Sequence, residues 1–186
     1  MQLGLVTYMW GAEWDLPTVI KNCQATGFKG VELRSGHKHG VEPSLGAAQR
    51  DKVRARFQKS KVRLLSFGST CEFQSPDAET RRKQIEIGKQ WVDLAHDTGA
   101  WGVKVRPNGI ARGETVESTV PRVAQCLREL GDYGQGLRLL ERTTLPCRMR
   151  TRFHRCWIPP GAREDPRRLQ MRIVCVLQHP AIHTDG

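Results

Sequence analysis

Short apolar runs alternate with segments of helical period through the first 136 residues, and the alternation predicts four strand-helix units. The first strand is expected over Leu3 to Tyr8. A helix follows with Asp15 as its cap, Pro17 in its first turn and Leu16, Val19, Ile20 and Cys23 on one face, ending at Gly27. The second strand is Gly30 to Arg34 and its helix runs from about Ala47 to Ser60; the third strand is Val62 to Gly68. Ser75-Pro76 opens the third helix, which places Ile85, Gly88, Trp91, Val92 and Ala95 on one face and stops at Gly99. The fourth strand is Trp101 to Arg106. Because Pro121 is poorly placed in a helix interior, the fourth helix is expected to start near Thr119 and to bury Val123, Leu127 and Leu130.

Beyond Gly136 the pattern fails. Leu137 to Leu140 could begin a fifth strand, yet the residues that follow mix Arg, Pro and Cys without sustained period, and only Ile173 to Leu177 reads as a buried strand. Strand-helix alternation implies parallel strands joined by crossovers. An internal echo supports this: Thr26 to Arg34 reappears in type as Thr98 to Arg106, an offset of 72 residues or two units of 36. The expected fold class is therefore α/β, a partial (β/α)8 TIM barrel of four βα units followed by an irregular C-terminal segment. A doubly wound open sheet is the alternative. No Gly-x-Gly-x-x-Gly follows the first strand to favour a dinucleotide fold. The 186 residues fall short of the roughly 250 of a complete barrel.

Charge divides the chain at the same place. Residues 1–136 carry 20 Lys and Arg against 15 Asp and Glu; residues 137–186 carry 10 against 4, and all ten are arginine. The domain division is thus 1–136 and 137–186. The second part reads as out-of-frame or otherwise foreign sequence, and translation of the gene in its other two frames tests that reading. The formal net charge of +11 invites a nucleic-acid partner, but the body carries only +5 of it and shows no run of interleaved aromatic and basic residues, which argues against nucleic acid. The six cysteines show no Cys-x-x-Cys spacing and are expected as reduced, buried thiols; His154-Arg155-Cys156 is too short a signal for zinc. No run approaches the roughly 18 apolar residues of a membrane span, so a cytoplasmic protein is expected.

Side chains two apart on a strand share a face, so Glu32 points with Arg34 and Lys104 with Arg106. In a barrel such charges near the C-terminal strand ends either line an active-site mouth or answer one another in an internal ion pair, Glu32 with Lys104. His37 and His39 follow the second strand, where imidazoles suit metal ligation or proton transfer, or belong to a solvated loop. Glu72, after the third strand, is a candidate base or hydroxyl ligand beside Ser69 and Thr70. Tyr8, Trp10 and Trp14 could stack on a sugar or close the barrel top. Arg106 suits a phosphate or carboxylate, and Asn108 is a substrate contact or turn chemistry with Gly109.

Gly4 to Trp10, Gly30 to Arg34, His37 to Glu42 and Gly102 to Gly109 together resemble the sugar phosphate isomerase/epimerase family with the xylose isomerase-like TIM barrel, through about Gly136. The resemblance implies an isomerase or epimerase of a small sugar, sugar phosphate or hydroxy-ketone assisted by a divalent metal (Mn, Mg, Co or Zn). It also implies metal ligands drawn chiefly from strands five to eight. Where the family's fifth strand carries Glu and then His-Gly, this chain reads Leu139-Leu140-Glu141-Arg142-Thr143-Thr144, so Glu141 alone is a metal-ligand candidate. The expectation is a domain inactive alone. The other readings are an abasic-site endonuclease-like barrel and a non-catalytic half-barrel whose open edges are covered by a second copy in a homodimer.

Overall fold

The computed structural model describes residues 2–106 and 109–137, together with the backbone of residues 174 and 175. Its elements run β1 (Gly4–Val6), α1 (Leu16–Ala25), β2 (Gly30–Arg34), α2 (Ala47–Gln58), β3 (Arg63–Gly68), α3 (Ala78–Thr98), β4 (Val103–Val105), α4 (Val116–Gly136) and β5 (Val174–Cys175). All strands pair in parallel and in chain order, β1-β2-β3-β4-β5. A doubly wound sheet reverses its strand order at a switch point, and this one does not, so the barrel reading stands and the open-sheet alternative falls. Of the tail, the expected strand at Ile173–Leu177 is represented by Val174–Cys175 beside β4. Asn108 and Glu141 lie outside the described residues, as does most of 137–186.

Local chemistry sets the helix starts. Asp15 Oδ1 accepts from Thr18 N–H at 2.9 Å and Asp77 Oδ2 from Thr80 N–H at 2.7 Å, which satisfies first-turn donors that have no intrahelical partner. Asp77 therefore moves the start of α3 just past the expected Ser75-Pro76. The fourth helix corrects the expectation by three residues. It begins at Val116, with Thr115 and Ser118 capping each other at 3.2 Å, and Pro121 sits inside it. The reciprocal cap and the Glu114–Arg122 ion pair hold the first turns, and burial of Cys126 and Leu130 anchors the helix beyond the bond that proline removes. Leu130 is buried as expected, whereas Val123 and Leu127 are only partly covered and Cys126 takes the inner position. Leu137, expected to open a strand, is the C-cap of α4.

The sheet's two faces differ. One alternation, Leu5, Val31, Leu33, Leu64, Phe67, Val103 and Val105, is buried at 8% exposure or less against the helices. It meets Val19 and Cys23 of α1, Val53 and Phe57 of α2, and Trp91, Val92 and Ala95 of α3. The other alternation forms the concave face. Its lowest layer is Gly4, Gly30 and Leu65: a Cβ on Gly30 would stand 2.6 Å from Leu65 Cδ1, so any side chain there would displace Leu65. The layer above is Val6, Glu32 and Ser66, and above that lie Arg34, Gly68 and Lys104. A register shift between Val31 and Glu32 sets Glu32 opposite Ser66 instead of Leu65 and aligns the polar layer.

Candidate functional site

The polar layer ends at the C-terminal strand ends, where βα loops carry chemistry in barrels. Glu32 on β2 and Lys104 on β4 form the ion pair that alternation allows, with side chains 14% and 20% exposed. Ser66 Oγ donates to Glu32 Oε2 at 3.0 Å from the strand between them. Gly68 lets this happen: a Cβ there would stand 2.9 Å from Arg34 Cγ and 3.1 Å from Glu32 Oε1. Arg34, whose Cγ lies beside Gly68, sets its guanidinium 4.2 Å from the centre of the Tyr8 ring.

A second pair closes the rim over β3 and β4. Arg106 Nη2 donates to Glu72 Oε1 at 3.0 Å, and Gln74 Nε2 donates to Glu72 Oε2 at 3.1 Å. The loop is tied to β4 by Arg106 N–H on Cys71 C=O at 2.9 Å. Arg106 Nε and Gln74 Oε1 are buried with no partner among the described residues, so one donor and one acceptor remain unmatched at this rim. Trp10, also expected near the mouth, is 74% exposed beyond β1 and touches none of these charges, while Trp14 packs against the core.

The two histidines do different work. His39 is buried, with Nε2 2.8 Å from Arg34 C=O and Nδ1 accepting from Val41 N–H at 3.1 Å. Both ring nitrogens are thus spent on the backbone and the ring is neutral. His37 sits higher, its Nδ1 3.3 Å from Thr7 Oγ1, which itself accepts from Arg34 N–H at 3.0 Å. Thr7 Oγ1 can also take His37 Nδ1–H on its second lone pair, and Nε2 is then the unprotonated nitrogen, with no protein partner among the described residues. Burial and the Arg34 cation hold His37 below the ordinary imidazole range, partly offset by Glu13. Burial likewise depresses His39, partly offset by its bond to Arg34 C=O.

A histidine depressed in the fold charges more readily when unfolded. Its stabilisation is complete above the unfolded value near 6.5 and is lost as pH falls through the lower folded value. Thermal denaturation is therefore expected to show Tm falling as pH drops below about 6.5. A His39→Gln variant should be less stable at neutral pH and show a flatter profile. An equal slope in both proteins would place the effect elsewhere.

Of the expected site residues, the structure pairs Tyr8 with Arg34, Glu32 with Lys104 and Glu72 with Arg106, and sets His37 against Thr7. Sequence reasoning missed Thr7, Ser66 and Gln74; a hydroxyl or amide at a strand end was the available signal for each. The described residues do not fit a divalent metal. Among them no three His, Cys, Asp or Glu side chains converge to hold one, and both carboxylates of the layer are committed to cations.

Among curated proteins, none matches this sequence. Solved structures do match in fold. The IolI protein with a bound zinc atom superposes at TM-score 0.61 and 16% identity, covering 74% of this chain and 49% of that one. A D-psicose 3-epimerase in the presence of D-fructose gives 0.60 and 16%, covering 74% and 50%, and an L-ribulose 3-epimerase gives 0.59 and 15%, covering 74% and 47%. The chain thus spans about half the length of the structures it matches. Within it, the model of the xylose isomerase-like TIM barrel matches residues 20–140, well over half of the sequence. With four parallel βα units in barrel order and a charged layer at their C-terminal ends, the chain belongs to the xylose isomerase-like TIM barrel family.

Proposed function

We infer that the chain is a sugar isomerase/epimerase-like domain whose residues 1–136 form the substrate-binding side of the site and turn nothing over alone. The observation that carries this is the concave layer of paired charges, Glu32 with Lys104 and Glu72 with Arg106, at the mouth end of a family barrel. Such pairs suit a polyhydroxylated ligand. A hydroxyl both donates and accepts, so it can enter between a carboxylate and a cation without leaving either unmatched. The unmatched Arg106 Nε and Gln74 Oε1 offer one further donor and acceptor. Arg34 over Tyr8 supplies a cation for a phosphate, and Tyr8 supplies a ring face for the carbon side of a sugar.

In this reading His37 Nε2 is the proton-transfer group, tuned toward its neutral form by burial and Arg34. His39 positions it, clamping the loop to Arg34 C=O from below. Glu72 binds a substrate hydroxyl, oriented by Arg106 and Gln74. A divalent ion is the family's expected companion. Among the described residues no three His, Cys, Asp or Glu side chains converge to ligate one. Leu3, Val6, Tyr8, Met9 and Trp10 are all exposed along β1, whose outer edge has no partner strand among the described residues. A second copy of the chain covering that edge is part of the same reading.

The test pairs binding with turnover. Saturation-transfer NMR with D-fructose and L-ribulose is expected to show contact with the chain, and Arg106→Ala should weaken it several-fold. Incubation with the same sugars plus Mn, Mg, Co or Zn is expected to leave them unconverted. Conversion would overturn the claim of inactivity, and absence of any saturation transfer would overturn the sugar site.

A further inference from the structure

Nearly all the excess positive charge of the body lies in one short stretch. Residues 50–63 hold seven Lys and Arg against one Asp, a net of +6, while the rest of residues 1–136 sums to −1. A mean charge of +5 over the body therefore conceals a patch. Arg50 is spent internally, on Asp97 at 2.8 Å and on the carbonyls of Leu45 and Pro43. The rest, Lys52, Arg54, Arg56, Lys59, Lys61 and Arg63, are exposed.

The fold gathers the last four of these with two more. Arg56 and Lys59 at the end of α2 face Lys21 of α1 across a groove of about 290 Å³ floored by Pro17 and Ile20. Lys61 and Arg63 continue from the groove onto the N-terminal strand ends, where Arg63 N–H bonds Lys29 C=O at 2.9 Å and brings Lys29 alongside. Arg63 then stands 5.8 Å from the centre of the Trp101 ring, itself 51% exposed. None of these six cations forms an ion pair with an acidic side chain among the described residues. Asp15 lies within electrostatic reach of Arg56 and is already capping α1. This face lies at the strand ends opposite the charged mouth.

We propose that this face binds a single-stranded nucleic acid, with Lys21, Lys29, Arg56, Lys59, Lys61 and Arg63 along the phosphates and Trp101 stacked on a base. Charge excludes the nearer occupants. Residues 137–186 carry a net of +6 and a second copy presents the same positive patch, so both are repelled. A bilayer is disfavoured because Val53 and Phe57 of α2 are buried, and one half-exposed indole, Trp101, is too little apolar surface to hold one. An acidic peptide would match the charge but has no use for an exposed indole flanked by arginine, which is a base-stacking platform.

Fluorescence anisotropy with labelled oligothymidylate and oligouridylate on the whole chain tests this. Six phosphate contacts on a single strand predict a log–log salt slope near −4, a loss of about 300-fold from ~50 to ~200 mM salt. The pair K59E/K61E should flatten that slope by about 1.4, and Trp101→Ala should weaken binding by about 5-fold or more. The matched pair R82E/K83E, on the exposed part of α3, should change neither. An unchanged slope in K59E/K61E would assign binding to another part of the chain and overturn the proposal. So would equal or tighter binding of polyglutamate or of phosphatidylserine vesicles at the same salt.

Discussion

Phe67→Ala is expected to cost about 3–5 kcal/mol of unfolding free energy, and to lower Tm by roughly 10 °C. Phe67 is fully buried on the helix-facing side of β3, its ring centre 5.7 Å from that of Trp91 on α3 at an interplanar angle of 45°. Truncation removes the ring and leaves a void between a strand and a helix, each held in place by other contacts: β3 by pairing with β2 and β4, α3 by its packing on α4 through Gly88 and Leu130. Neither element can close the gap, so the loss of transfer energy and the cavity term add. Phe67→Leu keeps most of the volume and should cost about 1–1.5 kcal/mol. Urea denaturation of the two variants gives the comparison. A loss below about 1 kcal/mol in Phe67→Ala would mean that β3 and α3 are not packed as described.

Much of this core was legible in the sequence. The buried residues of α1 are the four that its period selects, Leu16, Val19, Ile20 and Cys23, and β2 spans the residues its apolar alternation marks. Period works there because each element buries one face against one neighbour. It failed at the start of α4, where the intrinsic penalty of Pro121 was given more weight than the cap at Thr115. That cap uses Ser118 at the position where a glutamate or glutamine would have announced it. It also could not give the register of β3. With straight alternation Leu65 would stand opposite Glu32; the shift puts Ser66 there, and Leu65 drops onto Gly4 and Gly30. The side-chain type at each strand end was readable, whereas the partner was not. His39 shows the same limit. Its spacing from His37 suggests a pair, yet the loop's turn delivers it to Arg34 C=O and Val41 N–H. Averages hid information too, since a body charge of +5 is a +6 patch on an otherwise balanced surface.

Glu32→Ala is expected to cost about 2–3 kcal/mol, because it strands the Lys104 ammonium in the concave layer and removes the acceptor of Ser66. The figure sits below the cost of breaking a fully buried pair since both side chains keep some exposure, which lets water take over part of the lost partner's role. Lys104→Met should cost a similar amount for the converse reason, leaving the Glu32 carboxylate with one hydroxyl. The double variant Glu32→Ala with Lys104→Met leaves neither charge behind and should lose at least about 1.5 kcal/mol less than the sum of the singles. Denaturant titrations of the four proteins close the cycle. Additive losses, within about 0.5 kcal/mol, would show that the two groups do not meet in solution. The cycle also separates structure from function at the proposed site. If the pair only holds β2 to β4 across β3, the double variant should retain saturation transfer from D-fructose. If the pair is what a sugar hydroxyl enters, the double variant, though still folded, should have lost that contact.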